Sequence, residues 1–118
     1  MERLYTGLNA DKFLANLGAD FDMDSYLLHR EGGGFDESWM AAYRKFGRER
    51  GAPDELVELA YKRTVSITGS ADLAAYVADD FDLIFRDKDL NDAFCKNILS
   101  AYAAGRLPMI KGLENDKK

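Results

Sequence analysis

Aspartates are concentrated in one stretch of the chain. Six of them fall within fourteen residues, namely Asp79, Asp80, Asp82, Asp87, Asp89 and Asp92. Helix capping would account for Asp89 and at most also for Asp92. Most of these carboxylates are therefore not explained as caps. Because carboxylates pair with the cationic groups of Arg and Lys, the stretch predicts a docking surface for a basic partner. The alternative is an acidic face that is merely solvated and keeps the protein in solution.

The partner-binding residues predicted from this stretch are four of the aspartates and one tyrosine that precedes them. A tyrosine with its hydroxyl at the surface, surrounded by carboxylates, is typical of a protein-binding patch. The predicted set is Asp79, Asp80, Asp82, Asp87 and Tyr76.

A second acidic group stands earlier in the chain. Asp20, Asp22, Asp24 and Glu31 occupy positions 1, 3, 5 and 12 of a twelve-residue segment, which resembles the calcium loop of the EF-hand family. The segment departs from that loop in two ways: Ser25 stands where the turn requires glycine, and three glycines follow Glu31 instead of an exiting helix. The other interpretation places Asp20, Asp22 and Asp24 at the N-terminus of a helix, where the helix dipole favours them. We predict that the protein binds no metal. These four residues, which we call the calcium candidate, are the ligands that a calcium site would use.

No combination of residues predicts catalysis. His29 is the single histidine, which leaves no His-rich metal site, and Cys95 is the single cysteine. Cys95 lies in an apolar helical pattern, where we expect a buried rather than a reactive thiol. The run Gly32-Gly33-Gly34 lacks the Lys-Ser or Lys-Thr of a phosphate-binding loop and is interpreted as a flexible connector. We therefore predict no enzyme and no cofactor; an enzyme that uses a carboxylate pair is the least supported alternative.

The composition is that of an ordinary globular domain. The chain has 118 residues, of which 47% are hydrophobic and 31% are charged, and this balance predicts one packed core. The net charge of −5 is distributed unevenly, with −5 in residues 1–40, +2 in 41–69, −5 in 70–92 and +3 in 93–118. The acidic blocks would repel a phosphate backbone, so direct binding of nucleic acid is disfavoured.

The sequence predicts a protein of the cytoplasm that does not enter a membrane. The first fifteen residues contain acids and polar residues where a signal peptide would be basic and then apolar. No apolar run approaches the roughly 18 residues of a membrane-spanning helix. A single cysteine cannot form an intrachain disulfide, which agrees with a reducing compartment.

Helical periodicity dominates the first half of the chain. It predicts a short helix from Asn9 to Gly18, with Phe13, Leu14 and Leu17 on one face. A weaker segment runs from Asp22 to Arg30 and should end at the glycine run. The next helix should be capped by Asp36 or Ser38, and Gly47 and Gly51 should mark its end. Its spacing predicts one buried stripe, which consists of Trp39, Met40, Tyr43 and Phe46.

Three further helices are expected in the second half. One begins at Pro53 and ends at Gly69, and the next has Ser70 as its N-cap. That helix should bury a stripe made of Leu73, Tyr76, Val77, Phe81, Ile84 and Phe85. The last helix should be capped by Asp89 and should end near Gly105.

These elements predict a compact, all-α, single-domain bundle of five or six helices. The short connections favour antiparallel packing of neighbouring helices. The helical domain should cover residues 1–111, and residues 112–118 should form a frayed C-terminal tail.

The function predicted from these features is that of a small acidic cytosolic domain that inhibits or neutralises a basic partner. The most concrete form of this prediction is a protein similar in character to immunity proteins and antitoxins, which would block a toxic enzyme such as a nuclease. The alternative is a homodimeric regulatory or scaffold domain without inhibitory activity.

Overall fold

The computed structural model describes residues 13–14, 21–87 and 92–109. Within these residues the chain forms five helices and no strand. The helices are α1 (Met23–Glu31), α2 (Gly33–Phe46), α3 (Asp54–Thr68), α4 (Ala71–Arg86) and α5 (Ala93–Ala103). The all-α prediction is thus confirmed. Residues 112–118 lie outside the described part, and the predicted extent of the domain stays a prediction.

Polar side chains begin three of the helices. Asp22, Ser70 and Asp92 each accept a hydrogen bond from the backbone N–H three residues later, at the start of α1, α4 and α5. Each bond satisfies one of the N–H groups that a helix leaves without a partner at its first turn. At the other end of α3, Gly69 adopts φ 74° in the left-handed region, which glycine enters without a steric penalty. The predictions for Ser70 and Gly69 are confirmed.

Helix α4 lies at the centre of the core. It packs along α3 and also contacts α2 and α5. Its buried side chains include Leu73, Val77, Phe81 and Ile84, which recur at helical spacing on one face. The apolar side chains that meet them from other elements include Phe35, Leu56, Cys95, Ile98 and Tyr102.

The predicted boundaries of two elements were wrong. Helix α2 begins at Gly33 rather than near Asp36, because only Gly32 interrupts the chain in extended conformation and the other two glycines are helical. The last helix is capped by Asp92 rather than Asp89, and Asp89 lies outside the described residues.

The first predicted helix can be judged only at two residues. Phe13 and Leu14 are buried as expected, but they form a turn. Leu14 has φ 55°, which a right-handed helix does not allow. The rest of the predicted helix from Asn9 to Gly18 lies outside the described residues.

The buried stripe of α2 differs from the predicted one. Phe35 and Ala42 are buried, whereas Met40 and Tyr43 are exposed. Trp39 is half-buried, so the face that packs on the core follows residues 35, 39, 42 and 46. The predicted stripe is therefore rotated about the helix axis relative to the stripe that packs on the core. Met40 and Tyr43, which were assigned to the core, lie at the surface.

Cys95 is buried, as predicted. No helix in the described part of the chain is both long and apolar enough to cross a membrane.

Candidate functional site

The most unusual residue in the core is Asp80, which is 0% exposed. Its carboxylate accepts hydrogen bonds from Arg30 Nη1 and Nη2 at 2.8 and 2.7 Å and from Trp39 Nε1 at 3.0 Å. The Tyr102 hydroxyl donates a further bond to the same carboxylate. A buried charge of this kind is tolerated only when it is paired and its lone pairs are satisfied, and both conditions hold for Asp80.

Arg30 is the buried partner of this carboxylate. Burial by itself would lower the pKa of the guanidinium, but Asp80 reverses that effect and raises the pKa above its ordinary value. The guanidinium carbon lies 4.3 Å from the centre of the Phe35 ring and 4.7 Å from that of Tyr76. Arg30 is therefore a permanent cation held between two aromatic rings.

The network continues to the end of the described chain. Arg30 Nη1 lies 3.4 Å from the Tyr26 hydroxyl, which donates to the carbonyl oxygen of Pro108 at 2.7 Å. Burial raises the pKa of Tyr26, and both burial and Asp80 raise that of Tyr102, so both phenols stay protonated at neutral pH. The network thereby joins α1, α2, α4 and α5 to the segment that follows α5.

A groove of about 160 Å³ opens above this network, between α2 and α4. Buried Arg30 and Phe35 form its floor, half-buried Trp39 and Tyr76 its walls, and exposed side chains its rim. We call this the α2–α4 groove, and its rim consists of Asp36, Met40 and Asp79.

Two of the predicted partner-binding residues lie in the α2–α4 groove. Tyr76 forms part of a wall, and its hydroxyl donates to Glu31 Oε2 at 2.9 Å. Asp79 lies on the rim, and within the described part of the chain its carboxylate makes no hydrogen bond or ion pair. Partial burial and the neighbouring Asp80 and Asp82 raise the pKa of Asp79, although Arg30 opposes them. The rim of the groove therefore carries a carboxylate that a cationic group could pair with.

The other predicted residues lie elsewhere. Asp80 is in the buried network described above. Asp82 accepts hydrogen bonds from Ala52 N at 3.0 Å and Arg86 Nε at 2.8 Å, so it anchors the loop between α2 and α3. Asp87 is buried and accepts from Asp92 N at 2.9 Å across the connection to α5. The structure thus brings Tyr76 and Asp79 together at the surface and gives the other three carboxylates internal partners.

The calcium candidate does not form a loop. The chain from Met23 to Glu31 is helix α1, with Asp22 as its N-cap and Asp24 in its first turn. Glu31 lies at the opposite end of the helix, roughly 13 Å from Asp22 at the usual rise per residue. Asp20 lies outside the described residues, in which no group of three or more potential metal ligands occurs. The interpretation as an acidic helix N-terminus is confirmed for Asp22 and Asp24.

Sequence reasoning missed most of the groove. Arg30, Phe35 and Asp36 were not predicted to act together, and Trp39 and Met40 were assigned to the core. One pattern in the sequence could have indicated the groove. Aromatic and acidic residues occupy neighbouring faces of one helix at Asp36, Trp39, Met40 and Tyr43. The Trp39 and Tyr43 rings stack, with centroids 5.5 Å apart, and extend the aromatic surface beyond the groove.

The groove is suited to binding a cationic group. Its polar groups include a paired guanidinium, a phenol that is already hydrogen-bonded and two carboxylates. Aromatic faces beside carboxylates are suited to a planar cation.

Comparison with known protein families supplies an independent observation. The family model described as immunity protein PIM1 matches residues 3–109, a range that contains every residue the structure describes. No curated protein matches the chain.

Proposed function

This chain belongs to the immunity protein PIM1 family, and from that premise we propose that it neutralises one toxic protein by binding to it directly. The match over residues 3–109 is the observation that carries the proposal. Inhibition would require only a complementary surface, because an inhibitor acts by occupying its target rather than by chemistry of its own. We further propose that the chain is not an enzyme and acts in the cytoplasm, where its single thiol would stay reduced.

The chemistry of the partner follows from charge. The net charge of −5 and the acidic blocks at residues 1–40 and 70–92 would attract a basic toxin and accelerate its association. A nuclease is the most concrete target, since a protein that grips phosphates presents the cationic surface that these carboxylates would pair with.

The contact surface that we propose is centred on the α2–α4 groove. Asp79 and Tyr76 are kept from the residues predicted from sequence, because they lie at the surface. Asp80, Asp82 and Asp87 would contribute indirectly, through the buried network and the loops that they anchor. Met40 and Tyr43 are exposed apolar side chains next to the groove and would add buried area on binding.

The test has two stages. The tagged protein is used to capture partners from the lysate of its native cell at low and at high salt, and each captured protein is then expressed in a sensitive host with and without this chain. We expect one basic protein that arrests growth when expressed alone and is tolerated on co-expression. If no captured protein is toxic, or if co-expression never restores growth, the proposal is wrong.

Self-association is the second candidate, and one observation favours it. Leu28 is 69% exposed on α1, and Met40, Tyr43, Tyr61 and Ile67 are also exposed apolar residues. A homodimer could cover such side chains. Analytical ultracentrifugation from nanomolar to micromolar concentration, repeated in 1 M salt, would detect a dimer held by apolar contact; a monomer under all conditions excludes this candidate.

A further inference from the structure

We propose that the α2–α4 groove binds a single arginine side chain of the toxin, stacked on Trp39 and Tyr76 and paired with Asp36 and Asp79. This inference rests on the proposed function, because it names the chemical group by which the toxin would be recognised. It turns a general attraction between charged surfaces into one anchoring contact.

The size of the groove argues for a side chain rather than a small-molecule ligand. A volume of about 160 Å³ lies well below the roughly 300–1,000 Å³ of pockets that hold cofactors and drug-sized molecules. One long side chain is the occupant that fits.

The floor and one wall of the groove already hold a guanidinium between aromatic rings. Arg30 lies between the Phe35 and Tyr76 rings, at 4.3 and 4.7 Å from their centres. The Trp39 indole is held in place by its hydrogen bond to Asp80, so its ring does not have to be ordered when a ligand arrives. Aromatic faces fixed in this way bind cations at a lower entropic cost than mobile ones.

The side chains that line the groove carry more negative charge than positive charge. The guanidinium of Arg30 is neutralised by two hydrogen bonds to Asp80, at 2.8 and 2.7 Å. Asp36 and Asp79 then remain as the carboxylates of the rim. Burial, and then the neighbouring Asp80 and Asp82, raise the pKa of Asp79 against the opposing effect of Arg30, and an incoming cation would stabilise its charged carboxylate.

Arginine fits this arrangement better than lysine. A guanidinium is planar, stacks on aromatic rings and offers donors on two edges, whereas an ammonium is compact and strongly hydrated. A groove with aromatic walls and a carboxylate on each rim uses both properties of the guanidinium.

A direct test uses small probes and the single tryptophan of the chain. The blocked amino acids N-acetyl-arginine amide, N-acetyl-lysine amide and N-acetyl-citrulline amide are each titrated into ¹⁵N-labelled protein, and the indole N–H signal of Trp39 is followed by NMR. Citrulline has the shape of arginine but no charge. We expect saturable shifts with arginine, weaker binding of lysine and no saturation with citrulline.

Variants of the rim supply the controls. Asp79→Asn and Asp36→Asn should each weaken arginine binding by about tenfold, the effect of removing one charge-assisted hydrogen bond. Glu37→Gln removes the same charge from an exposed residue of α2 that does not line the groove, and it should bind arginine as the unmodified protein does. Equal affinities for arginine and citrulline, or equal effects of the three substitutions, would overturn the proposal.

The captured toxin separates this inference from the proposed function. If the unmodified chain neutralises a toxin while D36N and D79N bind that toxin as tightly as E37Q does, the groove is not the anchor although the function stands. If the arginine probe binds but no toxin is neutralised, the proposed function fails, and with it the role of the groove in toxin recognition.

Discussion

Asp80 illustrates what can be read from sequence at the scale of a residue. It lies seven residues after Leu73, three after Val77 and four before Ile84, all of which are buried in α4. This spacing places it on the core-facing stripe, so its burial was predictable from periodicity. Its partner was not, because Arg30 is fifty residues earlier in the chain and sequence alone does not show which distant cation meets a buried carboxylate.

Replacing Arg30 by Met should strongly destabilise the fold. The change leaves the Asp80 carboxylate buried with only Trp39 and Tyr102 as donors, and a buried charge without its counter-ion typically costs about 3–5 kcal/mol. Urea unfolding followed by circular dichroism measures the free energy of unfolding of both proteins.

The matched control is Lys62→Met, which breaks an exposed i,i+4 pair with Glu58. Such pairs contribute about 0.3–0.5 kcal/mol, so this variant should unfold nearly as the unmodified protein does. Similar losses for the two variants would show that the buried pair does not stabilise the fold.

Cys95 should be chemically inert while the protein is folded. Burial, and then the nearby Asp92 and Asp87, raise the pKa of its thiol from 9.0 to about 12. At pH 8 only about one molecule in ten thousand then carries the reactive thiolate. Iodoacetamide should therefore leave Cys95 unmodified at pH 8 in buffer and alkylate it in 8 M urea, as detected by mass spectrometry. Comparable rates in both solutions would contradict the burial of this thiol.

At the scale of elements, the position of helices was predicted better than their rotation. Caps and glycines locate both ends of α3 and the start of α4, because the bonds that begin and end a helix are local. Rotation depends on what packs against a helix. In α2, apolar residues occupy several faces, so the stripe with Phe35 and Ala42 and the stripe with Met40 and Tyr43 are both plausible from sequence.

The loop between α2 and α3 offers a test at this scale. A Cβ atom added at Gly51 would lie 2.1 Å from Asp82 Oδ1 and 3.1 Å from an Arg86 guanidinium nitrogen. Gly51→Ala should therefore displace a carboxylate that binds both Ala52 N and Arg86. We expect a loss of about 1–3 kcal/mol in unfolding free energy.

A double-mutant cycle identifies the cause of that loss. Once Asp82→Ala has removed the carboxylate, adding Gly51→Ala should cost much less than it does alone. Strictly additive effects would mean that the alanine acts on the loop in some other way.

At the scale of the whole molecule, charge and helical content predicted the class of protein better than any motif did. The acidic, all-α chain without a catalytic set favoured an immunity-like inhibitor, and membership of an immunity protein family confirms that class. The candidate site was predicted only in part, since Tyr76 and Asp79 reach the groove, whereas Asp80, Asp82 and Asp87 have partners within the fold. A contact surface made of two helices depends on tertiary packing, which a run of like residues does not reveal.

Long-range attraction should govern how fast the toxin is captured. Asp79→Lys reverses a charge on the rim of the groove, and we expect a several-fold slower association at low salt with little change in unfolding free energy. Stopped-flow mixing with the captured toxin gives the rate. At 0.15 M ionic strength charges are screened over about 8 Å, so the difference from the unmodified chain should shrink as salt rises.

Glu37→Lys is the matched reversal outside the groove and changes the net charge by the same amount. If both variants slow association equally, attraction is a property of the overall charge. A larger effect of Asp79→Lys assigns the steering to the groove.

The buried network also sets an order of events during synthesis. Arg30 leaves the ribosome long before Tyr102 and Pro108, and the network that contains all three cannot close until the last helix has emerged. At typical translation rates the 72 residues between Arg30 and Tyr102 take about 4–14 s to be made. During that interval the contacts made by Tyr102 and Pro108 are missing from the network beneath the α2–α4 groove. The network beneath the groove of a newly made chain is therefore complete only after Tyr102 and Pro108 have been made.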